Sequence, residues 1–395
     1  MFLISYIIFP NISLIGVAKV IPITILLWLV LILKKDTRVI FDKVTIMVTI
    51  LFIYIIINDL YFQGEFIDKK LATFIYICFI LLVYIHYIKK DNIRNISVIT
   101  NLILIEIIIS SIIAIHAVKL YPELAKSLAS NINDIQIQAL KLGISPYSDI
   151  YGKAFLGPSL MYIFMKNKIK KENRFSKILI GLSGSLCIVN VFLYSYTTAI
   201  LLCTLMIILY ASYLNKFFRY LIIFISLFIL IFVSLSLNLF NEFVESIDNR
   251  EVAIRLESIY NLICNGSLND ESGMMRVEYY KLSFNTFINN SLFGVGGFYT
   301  GIKSTFYGIG RHSEWLDFLA RYGFVGGALL LSIFNTIIKR MKNFIGKKNN
   351  KILINLIIYC LVLGSINTIF TSNLLILSIL IIIPCIIYNS NRDLN

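Results

Sequence analysis

Apolar runs of roughly membrane length, separated by short basic connections, constrain this chain before any motif does. A helix needs about 20 consecutive apolar residues to cross the hydrocarbon core. Runs meeting or approaching that length lie near 43–60, 71–88, 96–118, 151–165, 178–195, 198–214, 220–240, 318–338, 352–370 and 373–388. Residues 1–33 add one or two more, since Pro10-Asn11 breaks that stretch. The total is 11 or 12 spans. Lipid cannot satisfy a loose backbone, so such a chain folds as an all-α polytopic membrane bundle. A hydrophobic fraction of 58% in 395 residues sets aside an ordinary soluble domain.

The charge pattern orients the bundle. A net charge of +14 invites a nucleic-acid reading, but the cations cluster in alternate short connections, which suits the positive-inside rule better. One set carries Lys34, Lys35, Arg38 and Lys43; Lys89, Lys90 and Arg94; Lys166 to Lys177; Lys216 and Arg219; and Lys339 to Lys351. These are expected in the cytoplasm, with the C-terminus. The other set holds most of the acids, including two long segments, 119–150 and 241–317, expected outside. No internal repeat or separate soluble domain interrupts this single membrane domain. The six cysteines have no paired spacing, so neither a zinc site nor a disulfide framework is expected. The N-terminus lacks a basic n-region and a small-residue cleavage site, and reads as retained membrane segment.

The stretch from Arg276 to Gly327 departs from this pattern. Val277–Ile288 alternates apolar and polar residues at helical spacing, as expected of a helix lying over the outer face. Glycines at 294, 296, 297, 301, 308 and 310 follow. They match neither a phosphate-binding Walker loop nor a dinucleotide fingerprint, and read as a loop bending tightly over the bundle. If a helix begins near His312, then His312, Leu316, Leu319, Gly323 and Gly326 share one side of it. Such a glycine stripe admits a close neighbour and leaves the imidazole at the mouth of the bundle.

Cations gather in the second long segment, 241–317: Arg250, Arg255, Arg276, Lys281, Lys303 and Arg311. Arginine's planar fork suits phosphate oxygens. Arginines on an acidic loop also pair with carboxylates, here Glu251, Glu257 or Glu278, and the residues alone leave both roles open. A histidine at a helix start is often only interfacial, although its titration range suits general-base work. His86 and His116, at span ends, read as interfacial. Glu106 lies well inside an apolar run, as a proton relay or as the partner of a buried donor such as Asn190.

His312-Ser313, nine residues, Gly323, two residues and Gly326 resembles the signature of the O-antigen ligase and Wzy-type polymerase superfamily. Gly273-Met274-Met275-Arg276, then Asn290-Ser291-Leu292-Phe293-Gly294-Val295-Gly296, resembles the elements preceding that histidine in the family. The resemblance implies a glycosyltransferase at the outer face of a bacterial cytoplasmic membrane, joining undecaprenyl-pyrophosphate-linked oligosaccharides. His312 would be catalytic, with Arg276 foremost and Arg255, Arg311, Arg250 and Lys281 behind it on the substrate. Membrane lipid, and the flippase and chain-length regulator of the same pathway, are the implied partners. No cofactor or metal is expected, because the donor carries its own leaving group and no acidic or histidine cluster marks an outer loop. The absence of Asp-x-Asp argues against a nucleotide-sugar transferase.

One departure stands out. Many relatives carry Ser-Arg in the turn that here reads Tyr194-Ser195-Tyr196-Thr197, and Tyr196 replaces the arginine. That contact is missing or comes from elsewhere, with Lys153 and Lys141 as candidates, which weakens a ligase more than a polymerase. A ligase acting on lipid A core or protein is the same-class alternative. A transporter or flippase is the alternative of another class.

The charge asymmetry makes a direct prediction. In a cysteine-free background, an impermeant thiol reagent should label a cysteine at position 270 from outside and leave one at 170 untouched. The reverse pattern would invert the map.

Overall fold

The computed structural model describes residues 41–62, 93–122, 133–144, 147–166, 174–215, 271–296, 309–310, 312–346, 349–370 and 372–392, with a few isolated positions besides. Among these, every regular element is helical. The elements are α1 (Lys43–Tyr61), α2 (Ile93–Leu120), α3 (Asn133–Lys141), α4 (Tyr147–Lys166), α5 (Arg174–Tyr194), α6 (Thr197–Leu214), α7 (Glu271–Asn289), α8 (Glu314–Ile345) and α9 (Asn350–Ile366). The last run is α10 (Asn373–Leu377), a π-helical stretch (Ser378–Ile382) and α11 (Ile383–Arg392). Five helices among the described residues, α1, α2 from Val98, α5, α6 and α8, are long and apolar enough to cross a membrane. The chain is an all-α polytopic membrane protein. The apolar runs at 71–88 and 220–240, and nearly all of 1–33, lie outside the described residues, and the expected count of 11 or 12 spans rests on them.

Apolar side chains face outward, as a lipid solvent allows. Ile46, Ile50, Ile53 and Ile57 run down α1 at helical spacing and are 44% to 61% exposed, while α1 buries Val44, Val48, Leu51, Asn58 and Asp59. The centre is α4, buried at every residue from Tyr151 to Leu160. Gly157 meets Gly184 of α5, where a Cβ on either would stand 3.1–3.2 Å from the other's carbonyl oxygen. Small residues bring the two helices together, as in other membrane bundles. Polar groups here bond internally: Ser159 Oγ with Tyr210 at 3.0 Å, and the Tyr359 hydroxyl to the Tyr151 carbonyl at 2.5 Å.

Polar contacts tie helix termini together at each of the two ends of the bundle. At one end Arg340 pairs with Asp42 at 2.5 Å, Lys166 donates to Asn349 at 2.9 Å and Ser176 to Asn101 at 3.0 Å. At the other, Asn367 donates to the Tyr151 hydroxyl at 2.7 Å and Ser313 to the Gly364 carbonyl at 3.1 Å. The basic termini of α1, α4, α5, α8 and α9 share the first end. The histidine segment lies at the second.

The helix carrying the glycines begins later than its sequence suggests, and it is broken. Ser313 is its N-cap, accepting from the Leu316 N–H at 3.3 Å, so His312 precedes the helix instead of capping a face of it. Gly323 has φ 61° and ψ −166°, a conformation essentially confined to glycine. It is therefore the point of interruption, not one member of a continuous stripe. The carbonyls of Ala320 and Arg321 lose their helical donors and accept from Val295 N–H (3.1 Å) and Gly296 N–H (2.8 Å). Phe324 N–H and Val325 N–H turn to the carbonyls of Ser291 (2.7 Å) and Leu292 (3.2 Å). Tyr54 of α1 donates to the Tyr322 carbonyl at 2.8 Å, and Asn58 to that of Phe293 at 2.7 Å. The turn 291–296 thus plugs the break, and α1 seals it.

Glycine is required on both sides of this contact. A Cβ on Gly323 would lie 2.3 Å from the Leu292 oxygen, and one on Gly294 2.3 Å from the Arg321 carbonyl. Gly346 supplies a control, since it has a similar conformation (φ 77°, ψ 160°) with nothing within 4 Å of a Cβ. Gly346→Ala should cost about 1–3 kcal/mol of strain. Gly323→Ala adds backbone overlap and should exceed about 4 kcal/mol. Melting of the monodisperse, detergent-solubilised protein checks this, and equal losses would show that the turn yields freely.

Candidate functional site

The site is built where α7 lies against the start of α8. At about 100° per residue, Arg276, Tyr280, Ser283 and Phe287 fall on one side of α7. Ser283 is 1% exposed and donates to Asp317 Oδ1 at 2.5 Å. The Gly310 N–H donates to Ser283 Oγ at 3.1 Å. A Cβ on Gly310 would stand 2.3 Å from the Tyr279 carbonyl oxygen, so glycine lets this segment lie directly on α7.

His312 is partly buried against the same helix. Its ring stacks on Tyr279, with centroids 5.2 Å apart and planes at 25°, and its carbonyl accepts from the Tyr280 hydroxyl at 3.3 Å. Burial pushes the Tyr280 phenol above its ordinary value, while Arg276 draws it down and Asp317 raises it further. The hydroxyl stays protonated at neutral pH, as this donation requires.

Behind the histidine lies a buried charged cluster. Glu314, Asp317 and Asp59 are 6%, 3% and 0% exposed. Glu314 accepts from the Ile369 N–H at 3.1 Å and pairs with Arg321 at 3.5 Å. Arg321 Nε donates to the Asp317 carbonyl at 3.1 Å, and the Tyr322 hydroxyl bonds the Asp59 carboxylate. Sequence reasoning missed this cluster, having singled out Glu106 as the acid within an apolar run. Its signal was a capping serine with two acids in the first turn, Glu314 and Asp317, and Arg321 four residues beyond the second.

Arg276 is exposed, on the α7 face that meets His312, and Lys281 is exposed on nearly the opposite face. Arg250, Arg255, Lys303, Arg311 and His86 lie outside the described residues. His116 is exposed near the end of α2. Lys153 is buried, 5.9 Å from the centroid of the Tyr194 ring, and therefore beneath the turn where Tyr196 stands; Lys141 is exposed at the end of α3. The Asn190 amide donates to the carbonyls of Leu186 (2.9 Å) and Ser111 (3.3 Å).

The fold and this site define a polytopic membrane protein with a histidine held at one end of its bundle by an amphipathic helix. Residues 182–331 match the family model described as Wzy_C, O-Antigen ligase. The match runs from α5 into the second half of α8, taking in Arg276, the turn 291–296, His312 and the break at Gly323. It supports the O-antigen ligase and polymerase superfamily seen in the motifs. A comparison with curated proteins finds no match.

Proposed function

We propose that the protein is a polysaccharide repeat-unit polymerase. It would transfer a glycan from an undecaprenyl pyrophosphate donor to a sugar hydroxyl on a second lipid-linked unit, at the outer face of the cytoplasmic membrane. The observation that carries the reading is the shared α7 face. Tyr279 and Tyr280 on that face touch His312, and Arg276, one turn before Tyr280, sits on the same side.

In this reading His312 orients or deprotonates the acceptor hydroxyl. Arg276, with Arg255 and then Arg311, Arg250 and Lys281, neutralises the departing pyrophosphate. Attack opposite the leaving group inverts the anomeric centre. The donor supplies the leaving group, so the chemistry requires neither nucleotide nor metal. The flippase delivering the donor and the chain-length regulator acting on the product are the expected partners.

Tyr196, where many relatives have arginine, favours a polymerase over a ligase. The saturated backbone at Gly323 disfavours a transporter, since broken helices in transporters turn their free ends to the cargo. The test is chemical. His312→Ala should accumulate as folded protein and elongate lipid-linked units about 10²- to 10⁴-fold more slowly. Arg276→Lys should lose the roughly 1.5–3 kcal/mol of a charge-assisted hydrogen bond. Deleting the protein should leave a single repeat unit on its usual acceptor. Long chains retained on the lipid carrier would mark a ligase, and full activity in His312→Ala would remove the histidine from the chemistry.

A further inference from the structure

We infer that Asp317 and Ser283 form a latch that positions His312, an assignment resting on the reading of that histidine as the acceptor's base. Two hydrogen bonds cross from α8 to α7 and back to the chain before the histidine: Ser283 Oγ to Asp317 Oδ1 at 2.5 Å, and Gly310 N–H to Ser283 Oγ at 3.1 Å. Both side chains are at least 97% buried, so water does not compete for these bonds. The first ends on a carboxylate, the stronger kind of acceptor.

The latch fixes the histidine from its N-terminal side. Gly310 lies two residues before His312, and its Cα is drawn so close to the Tyr279 carbonyl that a methyl group would overlap it. The imidazole then meets the Tyr279 ring, and its own carbonyl meets the Tyr280 hydroxyl. From the other side Ser313 caps α8 and donates to Gly364. The histidine backbone is thus held at both flanks, by α7 through the latch and by α9 through the cap. Asp317 also stands in the first turn of α8, where any acid favours the helix dipole. That role needs no serine on α7, and Ser283 separates the two explanations. Asp317 is a positioning residue: it acts on the histidine through Ser283 and Gly310.

The experiment uses the full-length protein with a histidine-free affinity tag and with His86→Gln and His116→Gln, which leave His312 as the sole histidine. Carbethoxylation of His312 by diethyl pyrocarbonate reads its exposure directly, and turnover of a lipid-pyrophosphate-linked repeat unit reads its function. Ser283→Ala and Asp317→Ala should speed carbethoxylation several-fold and lower kcat by roughly 10- to 100-fold, the scale of a small misplacement. KM for the donor should stay within about two-fold. Ser283→Thr and Asp317→Asn retain a hydroxyl and an acceptor oxygen, and should recover part of both effects. Carbethoxylation at the wild-type rate in Ser283→Ala overturns the latch; if that variant does not fold, the same result in Asp317→Ala with an unchanged kcat overturns it. Faster carbethoxylation with unchanged turnover keeps the latch and retires His312 as the base.

Discussion

The contact on which the rest of the site depends is the exchange of backbone hydrogen bonds between the turn 291–296 and the break at Gly323. An interrupted helix inside a membrane leaves carbonyls and N–H groups that lipid cannot satisfy, each costing several kcal/mol if unpaired. Here Ala320, Arg321, Phe324 and Val325 find partners in one short turn, and Tyr54 takes the Tyr322 carbonyl. The two glycine motifs, well separated in the chain, are therefore halves of one structure. Gly294 and Gly323 face each other's backbone at distances that exclude any side chain.

That junction anchors the end of α7 against α8 and so aims the rest of α7 along the approach to His312. The first half of α8, Glu314 to Tyr322, becomes a short rigid platform carrying Glu314, Asp317 and Arg321 inside the protein. Buried charges are tolerated when paired and hydrogen-bonded, and these bond to the α9–α10 connection through Ile369 as well as to each other. The histidine thus rests on an assembly drawn from α1, α7, α8 and the α9–α10 connection. Few ordinary loops are held from so many sides.

Much of the bundle was legible in the chain itself. Apolar runs mark α1, α2, α5 and α6 because a lipid solvent demands continuous hydrophobicity. Amphipathic spacing marks α7. The break at Gly323 was not legible, because a glycine spaced on a helical stripe looks the same whether it admits a neighbour or bends the chain. What distinguishes them is the partner turn, and that pairing is tertiary. The buried acids escaped for a related reason: Glu314 and Asp317 sit at a helix start, where acids are usually solvated, and burial comes from α7 and the α9–α10 connection folding over them. His312 was singled out by its motif. Its support by Tyr279, Tyr280 and Ser283 depends on docking that local pattern does not express.

On the proposed reading, this bundle elongates lipid-linked glycan with no second protein. Purified protein reconstituted into liposomes with synthetic undecaprenyl-pyrophosphate repeat units as the only glycan, and no nucleotide sugar, tests it most directly. A polymerase should yield a ladder of lipid-linked products spaced by one repeat unit, with free undecaprenyl pyrophosphate released at each addition. Donor that keeps its original length, or crosses the bilayer with its lipid link intact, would contradict it.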